Sequence, residues 1–281
     1  MTGFLERLWA TRNLAALLAL AIVVAFIAVA IAAPLVTSWE SATRVVLRRA
    51  LQTPSAAHVL GTDELGRDLL SRVVWGARVS LLVAVLAVAI SLAIGVAIGA
   101  LCGYFGGRIA EATMRAMDFM LAFPRILLAI IFITVFGPGM VGLTLAIGIS
   151  TVPIDARLFR APVLSLRQRE FVLAARALGA GHARLIGREI LPNTASLMIV
   201  QGTISLAEAI LIASGLSFLG LGPEPPTPEW GAMIAASRAH ILTAPHVVLA
   251  PGLALFVVIL AFNVLGDALR DYVDPRVRSA R

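Results

Sequence analysis

Residues 14–36 read LAALLALAIVVAFIAVAIAAPLV, and no charged side chain occurs between Arg12 and Glu40. As a helix, this almost wholly aliphatic run of 23 residues extends about 34 Å at 1.5 Å per residue. That length crosses the ~30 Å hydrocarbon core of a bilayer with some tilt. A signal peptide has a shorter apolar region that ends in a small-residue cleavage site. The run is too long for that, so a retained membrane helix is expected.

The rest of the chain agrees with a lipid environment. Of its 281 residues, 59% are hydrophobic and only 14% charged, too few charges to cover the surface of a water-soluble domain of this size. The formal charge is +7, and all 23 basic residues are Arg. They are scattered over loops and form no stripe, which favours a membrane surface over nucleic acid. A nucleotide-binding P-loop needs a Lys to reach the terminal phosphates. With no Lys, the chain carries no such motif, and any ATP used in its work is hydrolysed by another chain. Cys102 is the single cysteine and sits in an apolar run, so it reads as a small buried apolar residue. His58, His182, His240 and His246 are dispersed without metal-ligand spacing, and neither a metal site nor a cofactor is expected.

Further spans follow from the apolar runs. The second lies between Arg78 and Arg108, centred on Leu81 to Leu101, where Gly95 and Gly99 form a small-xxx-small pair that allows close helix approach. Ahead of it, Asp63 or Thr62 is placed to cap an interfacial helix starting at Glu64, with Leu65, Leu69 and Val73 as its apolar stripe. Arg108, Glu111, Arg115 and Asp118 share one helix face. From Ile126 to Ile154 no charge occurs, and Gly137-Pro138-Gly139 marks a turn within that stretch. One helix is therefore expected from about Arg108 to Phe136 and another from about Met140 to Phe159. A polar stretch from Asp155 to Glu189 holds seven Arg. The fifth span runs from about Thr194 to Leu219 and the sixth from about His246 to Gly266, separated by a loop with four prolines between Gly220 and Glu229. The result is an all-α integral membrane protein of about six transmembrane helices. It divides into an N-terminal segment with the first helix (1–40), an extracytoplasmic loop with an interfacial helix (41–79) and a core of five helices (80–281), whose cytoplasmic loop covers about 160–192. With both termini in the cytoplasm, sixteen Arg fall on the inside and seven on the outside, the asymmetry expected of a multi-pass protein.

Two features carry function. In the cytoplasmic loop, Phe171, Ala174, Ala175 and Leu178 recur at helix spacing, Gly179 and Gly181 end that helix, and a second short helix near His182 to Leu191 stops against Pro192. The loop is either an amphipathic hairpin on the membrane surface or a docking element for a partner protein. Glu208 lies inside the fifth span, where an ionised carboxylate facing lipid costs several kcal/mol, about 2.5–3.5 on insertion scales for related charges. It is therefore expected to face the bundle interior, neutral or paired. There it either lines a translocation path and meets a cationic group of the solute, or makes a buried hydrogen bond. Asn263 in the sixth span is a weaker candidate of the same kind.

The loop resembles the cytoplasmic coupling loop of ABC-importer permeases: Ala174-Ala175, then Gly179, then Leu191-Pro192, with Glu170 one turn before the Ala pair and Leu173 where the family usually has Glu. Four more segments resemble the dipeptide, oligopeptide and nickel branch, "C" type. They are Leu60-Gly-Thr-Asp-Glu-Leu-Gly-Arg-Asp-Leu-Leu-Ser-Arg72 with Gly76-Ala-Arg-Val-Ser80; Met114-Arg-Ala-Met-Asp118 with Ala122-Phe-Pro124; Leu216 to Gly222 with Pro225-Pro-Thr-Pro228 and Trp230-Gly231; and Leu265 to Asp271 with Asp274-Pro-Arg276. The resemblance implies a type I permease fold in the bacterial inner membrane, forming half of a translocation pathway. It implies as partners a homologous second permease, two ATP-binding-cassette ATPase subunits and an extracytoplasmic substrate-binding protein. The coupling residues it implies are Glu170, Ala174, Ala175, Gly179, Leu191 and Pro192, and the leading solute is a di- or oligopeptide, with nickel or another small solute next. An ion-coupled secondary transporter would need no docking loop and no ATPase, and the intramembrane Glu208 and the lack of a large soluble domain argue against a non-transporting membrane scaffold.

Overall fold

The computed structural model describes residues 14–273. The expectations that rest on Arg7, Arg12, Arg276, Arg278, Arg281 and the Asp274-Pro-Arg276 motif lie outside the described residues. The helices, in chain order, are α1 (Leu14–Val36), α2 (Trp39–Thr43), α3 (Leu69–Phe105), α4 (Gly107–Leu121), α5 (Arg125–Phe136), α6 (Met140–Leu166), α7 (Glu170–Ala177), α8 (His182–Phe218), α9 (Trp230–Ser237) and α10 (His246–Val273). Five of them (α1, α3, α6, α8 and α10) are long and apolar enough to cross a membrane, and α4 with α5 forms a sixth candidate span bent by 101°.

In α1 the buried residues are Ala16, Ala19, Val23, Phe26, Ala30 and Ala33. They recur every three to four positions and so form one stripe. The large aliphatic residues Leu18, Ile31 and Leu35 point away from the protein, as lipid-facing side chains do. Phe26 meets Trp230 at 5.5 Å and Phe262 at 6.5 Å between ring centroids, which ties α1 to α9 and α10.

The centre of the molecule is the α3–α6 pair, which has the most extensive contact of any two elements. The small-residue reading of α3 holds and extends one turn further. A Cβ at Gly95 would stand 2.5 Å from Asp155 Cβ, one at Gly99 2.5 Å from the Ala156 carbonyl oxygen, and one at Gly103 2.8 Å from that of Arg160. Only hydrogen fits at those three positions, and the two backbones come together there.

Three sequence expectations about helix limits need correction. The helix before the second span does not start at Glu64. Asp63 instead closes a tight loop, accepting from the backbone N–H of Leu65 and Arg67 (both 2.9 Å) and from Arg67 Nε (2.6 Å). The cap is Asp68, whose side chain accepts from the Ser71 N–H at 2.8 Å, and the helix then runs unbroken from Leu69 to Phe105 for 37 residues. The helix expected from about Arg108 to Phe136 is broken at residues 122–124, because Pro124 restricts the residue before it and cannot donate to the preceding turn. The helix expected to end near Phe159 continues to Leu166, so Asp155 belongs to its buried face rather than to the polar loop.

Around the start of α3, Asp63, Arg67 and Arg72 form a buried cluster with the partly buried Glu64. Arg72 Nε lies 3.1 Å from Asp63 Oδ2, Arg67 Nη2 donates to Glu64 at 3.0 Å, and Ser237 donates to Glu64 at 3.2 Å. The proline-rich loop ends in a second anchor. The Trp230 indole donates to the Val73 carbonyl at 3.0 Å. Glu229 caps α9 by accepting from the Ala232 N–H at 2.9 Å. Burial pushes the Glu229 carboxyl above its ordinary range, against the pull of the Ala232 and Gly231 N–H groups and the Ser217 and Ser214 hydroxyls.

Candidate coupling segment and pathway residues

The segment expected to couple begins with α7. Its end is a Schellman turn: the Ala180 N–H donates to the Ala175 carbonyl and the Gly179 N–H to that of Arg176, each at 3.0 Å. This places Gly179 at φ +87°, with nothing within 4 Å of where its Cβ would be. A positive φ favours Gly on backbone grounds, and the space beyond it is open.

The recurrence of Phe171, Ala174, Ala175 and Leu178 does not mark one buried face. Val172 is the residue α7 buries, and Ala175 is partly buried beside it. They join Ala100, Val163, Leu185 and Ile190 in a small core at the ends of α3 and α6, against which Leu191 also packs. Phe171, Leu173, Ala174 and Leu178 face outward, with Leu178 89% exposed. Glu170 is exposed in the first turn of α7. The structure thus brings Ala175 and Leu191 onto one core and leaves Ala174, Leu178 and Gly179 at the open surface.

The second helix of the loop does not stop against Pro192. From His182 the chain winds continuously into α8, through a π-helical stretch (Leu185–Ile190) and a 3-10 turn (Leu191–Thr194). Pro192 has no N–H to give an α-helical ladder. The wider turn before it, where the Leu191 N–H donates to the Ile186 carbonyl, absorbs the break. Asn193 Nδ2 donates to the Glu189 carbonyl at 2.6 Å. The start of α8 is held to α3 through Tyr104 OH and His182 Nδ1, 2.8 Å apart. Arg167 Nη1 donates to the Tyr104 carbonyl at 2.9 Å.

Glu208 is paired, as its cost in lipid requires. Its Oε2 accepts from Arg125 Nη1 at 2.6 Å, and the side chains are 46% and 21% exposed respectively. Arg125 is the first residue of α5, so the bend after α4 delivers it there. Arg125 stands just before the charge-free run that opens at Ile126, and nothing in the spacing links residues 83 apart. Asp155, also missed, is fully buried on α6. Ser91 of α3 donates to its Oδ2, Oδ1 has no hydrogen-bond partner among the described residues, and Gln201, Arg125 and Glu208 lie within its electrostatic reach. The hint in the sequence was its place at the very end of a charge-free run. Asn263 stands apart: its side chain is exposed and donates to the Ile259 carbonyl of its own helix at 3.0 Å.

Comparison with known proteins agrees with this architecture. Residues 95–279 match the family described as "Binding-protein-dependent transport system inner membrane component". The dipeptide transport system permease protein DppC of Alkalihalophilus pseudofirmus is 46% identical over 268 residues, covering 95% of this chain and 88% of that protein. The di/tripeptide transport system permease protein DppC of Pseudomonas aeruginosa is 44% identical over 82% of this chain and 76% of its own length. The glutathione transport system permease protein GsiD of Pectobacterium atrosepticum is 42% identical over 80% and 75%. A transport permease is not an enzyme, and these helices carry out membrane passage rather than bond chemistry. The chain belongs to the binding-protein-dependent transport permeases and is a multi-pass permease subunit of an ABC importer, of the "C" type.

Proposed function

We propose that the chain forms one half of an inward pathway for short peptides, paired with a second, homologous permease. Two ATPase subunits serve the complex, one of them docked on the segment from Glu170 to Pro192, and an extracytoplasmic binding protein delivers the solute. The names of the relatives, which transport dipeptides, di- and tripeptides or glutathione, support the solute class. The observation that carries the docking is the exposed set Phe171, Ala174 and Leu178 beside the open turn at Gly179. An apolar patch next to a charged rim is what a partner protein covers. This segment moves with the bundle through the shared core of Ala100, Val163 and Leu185, so closure of the ATPases reaches the spans as a rigid-body shift. The Arg asymmetry supports N- and C-termini in the cytoplasm of a bacterial inner membrane. Arg44 pairs with Glu40, and Arg67 and Arg72 with Asp63, which offsets much of the positive charge of the outer loop.

The test is Gly179→Trp. In the isolated chain a bulky side chain there meets only open space, and the left-handed backbone adds a strain of about 1–2 kcal/mol. The variant is expected to reach normal levels in the membrane and to abolish uptake of a labelled dipeptide by cells whose own copy is deleted. Full uptake would remove the docking assignment. Wild-type cells that import no dipeptide, but do import nickel, would move the solute to the other branch.

A further inference from the structure

Arg125 and Glu208 form a half-exposed ion pair between α5 and α8. Glu208 is about 20 Å along α8 from Ala195 at 1.5 Å per residue, and α5, which Arg125 opens, is 12 residues long, about 18 Å. Both groups therefore stand near the middle of the membrane, at the start of a half-span. Broken helices at that depth are tolerated where they line a cavity or are covered by protein. An ion pair at the same depth turns its open side to water or protein, because lipid leaves the charges unsolvated. Apart from this pair, α5 and α8 scarcely touch, so the link spans a gap rather than sealing a packed seam. Behind it lies a polar layer: Asp155 with the Ser91 hydroxyl, and Gln201, which donates to Ser205 at 3.1 Å.

We propose that Arg125 and Glu208 contact the solute, exchanging their mutual ion pair for the carboxylate and ammonium groups of a zwitterionic peptide at mid-membrane. The proposal rests on the peptide reading above. Moving two charged termini through the low-dielectric centre of a membrane is costly unless each finds a counter-charge. A guanidinium binds a carboxylate through paired donors, and a carboxylate binds an ammonium, so every charge-assisted bond lost between the two side chains is replaced by one to the solute. Their own bond reforms as the solute leaves. The station therefore binds weakly enough to release, which passage requires.

Cells lacking the native copy and carrying variants are tested for uptake of three labelled dipeptides: Lys-Ala, Ala-Ala and Asp-Ala. The binding protein is the same throughout, so each variant is compared with wild type for each solute. Glu208→Gln and Arg125→Gln are each expected to lower uptake of all three dipeptides at least about tenfold, because each removes the counter-charge of a terminus that the three share. The double variant R125Q/E208Q removes both charges of the pair, leaving neither without the other, and is expected to accumulate normally in the membrane, yet to lose at least about tenfold in uptake of all three. Wild-type uptake of the three by either single variant, or by the double variant, would overturn the proposal and leave the peptide reading standing. Wild-type cells that take up none of the three would overturn both.

Discussion

At Gly99 a single hydrogen atom separates two backbones. A Cβ there would press on the Ala156 carbonyl oxygen, and backbone cannot swing aside as a flexible side chain does. Gly99→Leu is therefore expected to cost more than the 1–3 kcal/mol typical of overpacking, about 3 kcal/mol or above. In detergent the variant should melt several degrees below wild type, whereas Gly252→Ala in α10, where nothing lies within 4 Å, should melt with it. An unchanged midpoint for Gly99→Leu would mean that α3 and α6 do not meet as described. The small-residue spacing of α3 was legible because close approach leaves its mark on the residues that make it. The ion pair of Glu208 was legible only by half. The cost of a lone carboxylate in lipid calls for a partner, but says nothing of which one. Arg125 reaches it through a bend that depends on how α4 packs on α6, a tertiary fact with no local signature.

The helices themselves were largely written in the hydrophobic runs, and their ends were not. A run reports where lipid begins. It does not report whether an acidic residue such as Asp63 caps a helix or turns inward on Arg67. The same ambiguity hid the continuity of α8, since Pro192 reads as a stop although a π turn carries the chain through it. A π turn holds one residue more than an α turn. Replacing Pro192 with Ala removes the reason for it, and the wound stretch is expected to relax toward regular α-helix. One residue of slack is a rotation of about 100°, so α7 would be turned relative to the spans. Pro192→Ala is accordingly expected to keep normal membrane levels and to lose uptake at least about tenfold. Uptake equal to wild type would show that the orientation of α7 does not depend on this proline.

For the molecule as a whole, the sidedness is open to direct chemistry. Leu178 and Leu242 are 89% and 93% exposed and lie on opposite sides in the proposed orientation. In a Cys102→Ser background, Leu242→Cys is expected to react with a membrane-impermeant maleimide in spheroplasts, and Leu178→Cys only after the membrane is opened. The opposite pattern would invert the protein. Charge counting gave the orientation from the excess of Arg on one side, and the outer loop blurred it because its six Arg were counted as free. Several are partnered within the loop, which only the folded chain reveals. The permease fold was legible because its five segments lie in order along the chain. The α7 residues that recur at helix spacing divide between the core, which takes Ala175, and the open surface, where Phe171, Ala174 and Leu178 lie, a division that spacing alone does not report.

The length of α3 has a mechanical consequence. An unbroken helix of 37 residues is a rod of about 55 Å, fixed at its outer end by the Arg72 and Trp230 anchors and at its inner end to the segment that holds His182. A tilt of about 5° about one end carries the other through about 5 Å, close to the diameter of an extended peptide. The helix is a lever, and its two ends keep common time: a displacement imposed at one end cannot leave the other where it was.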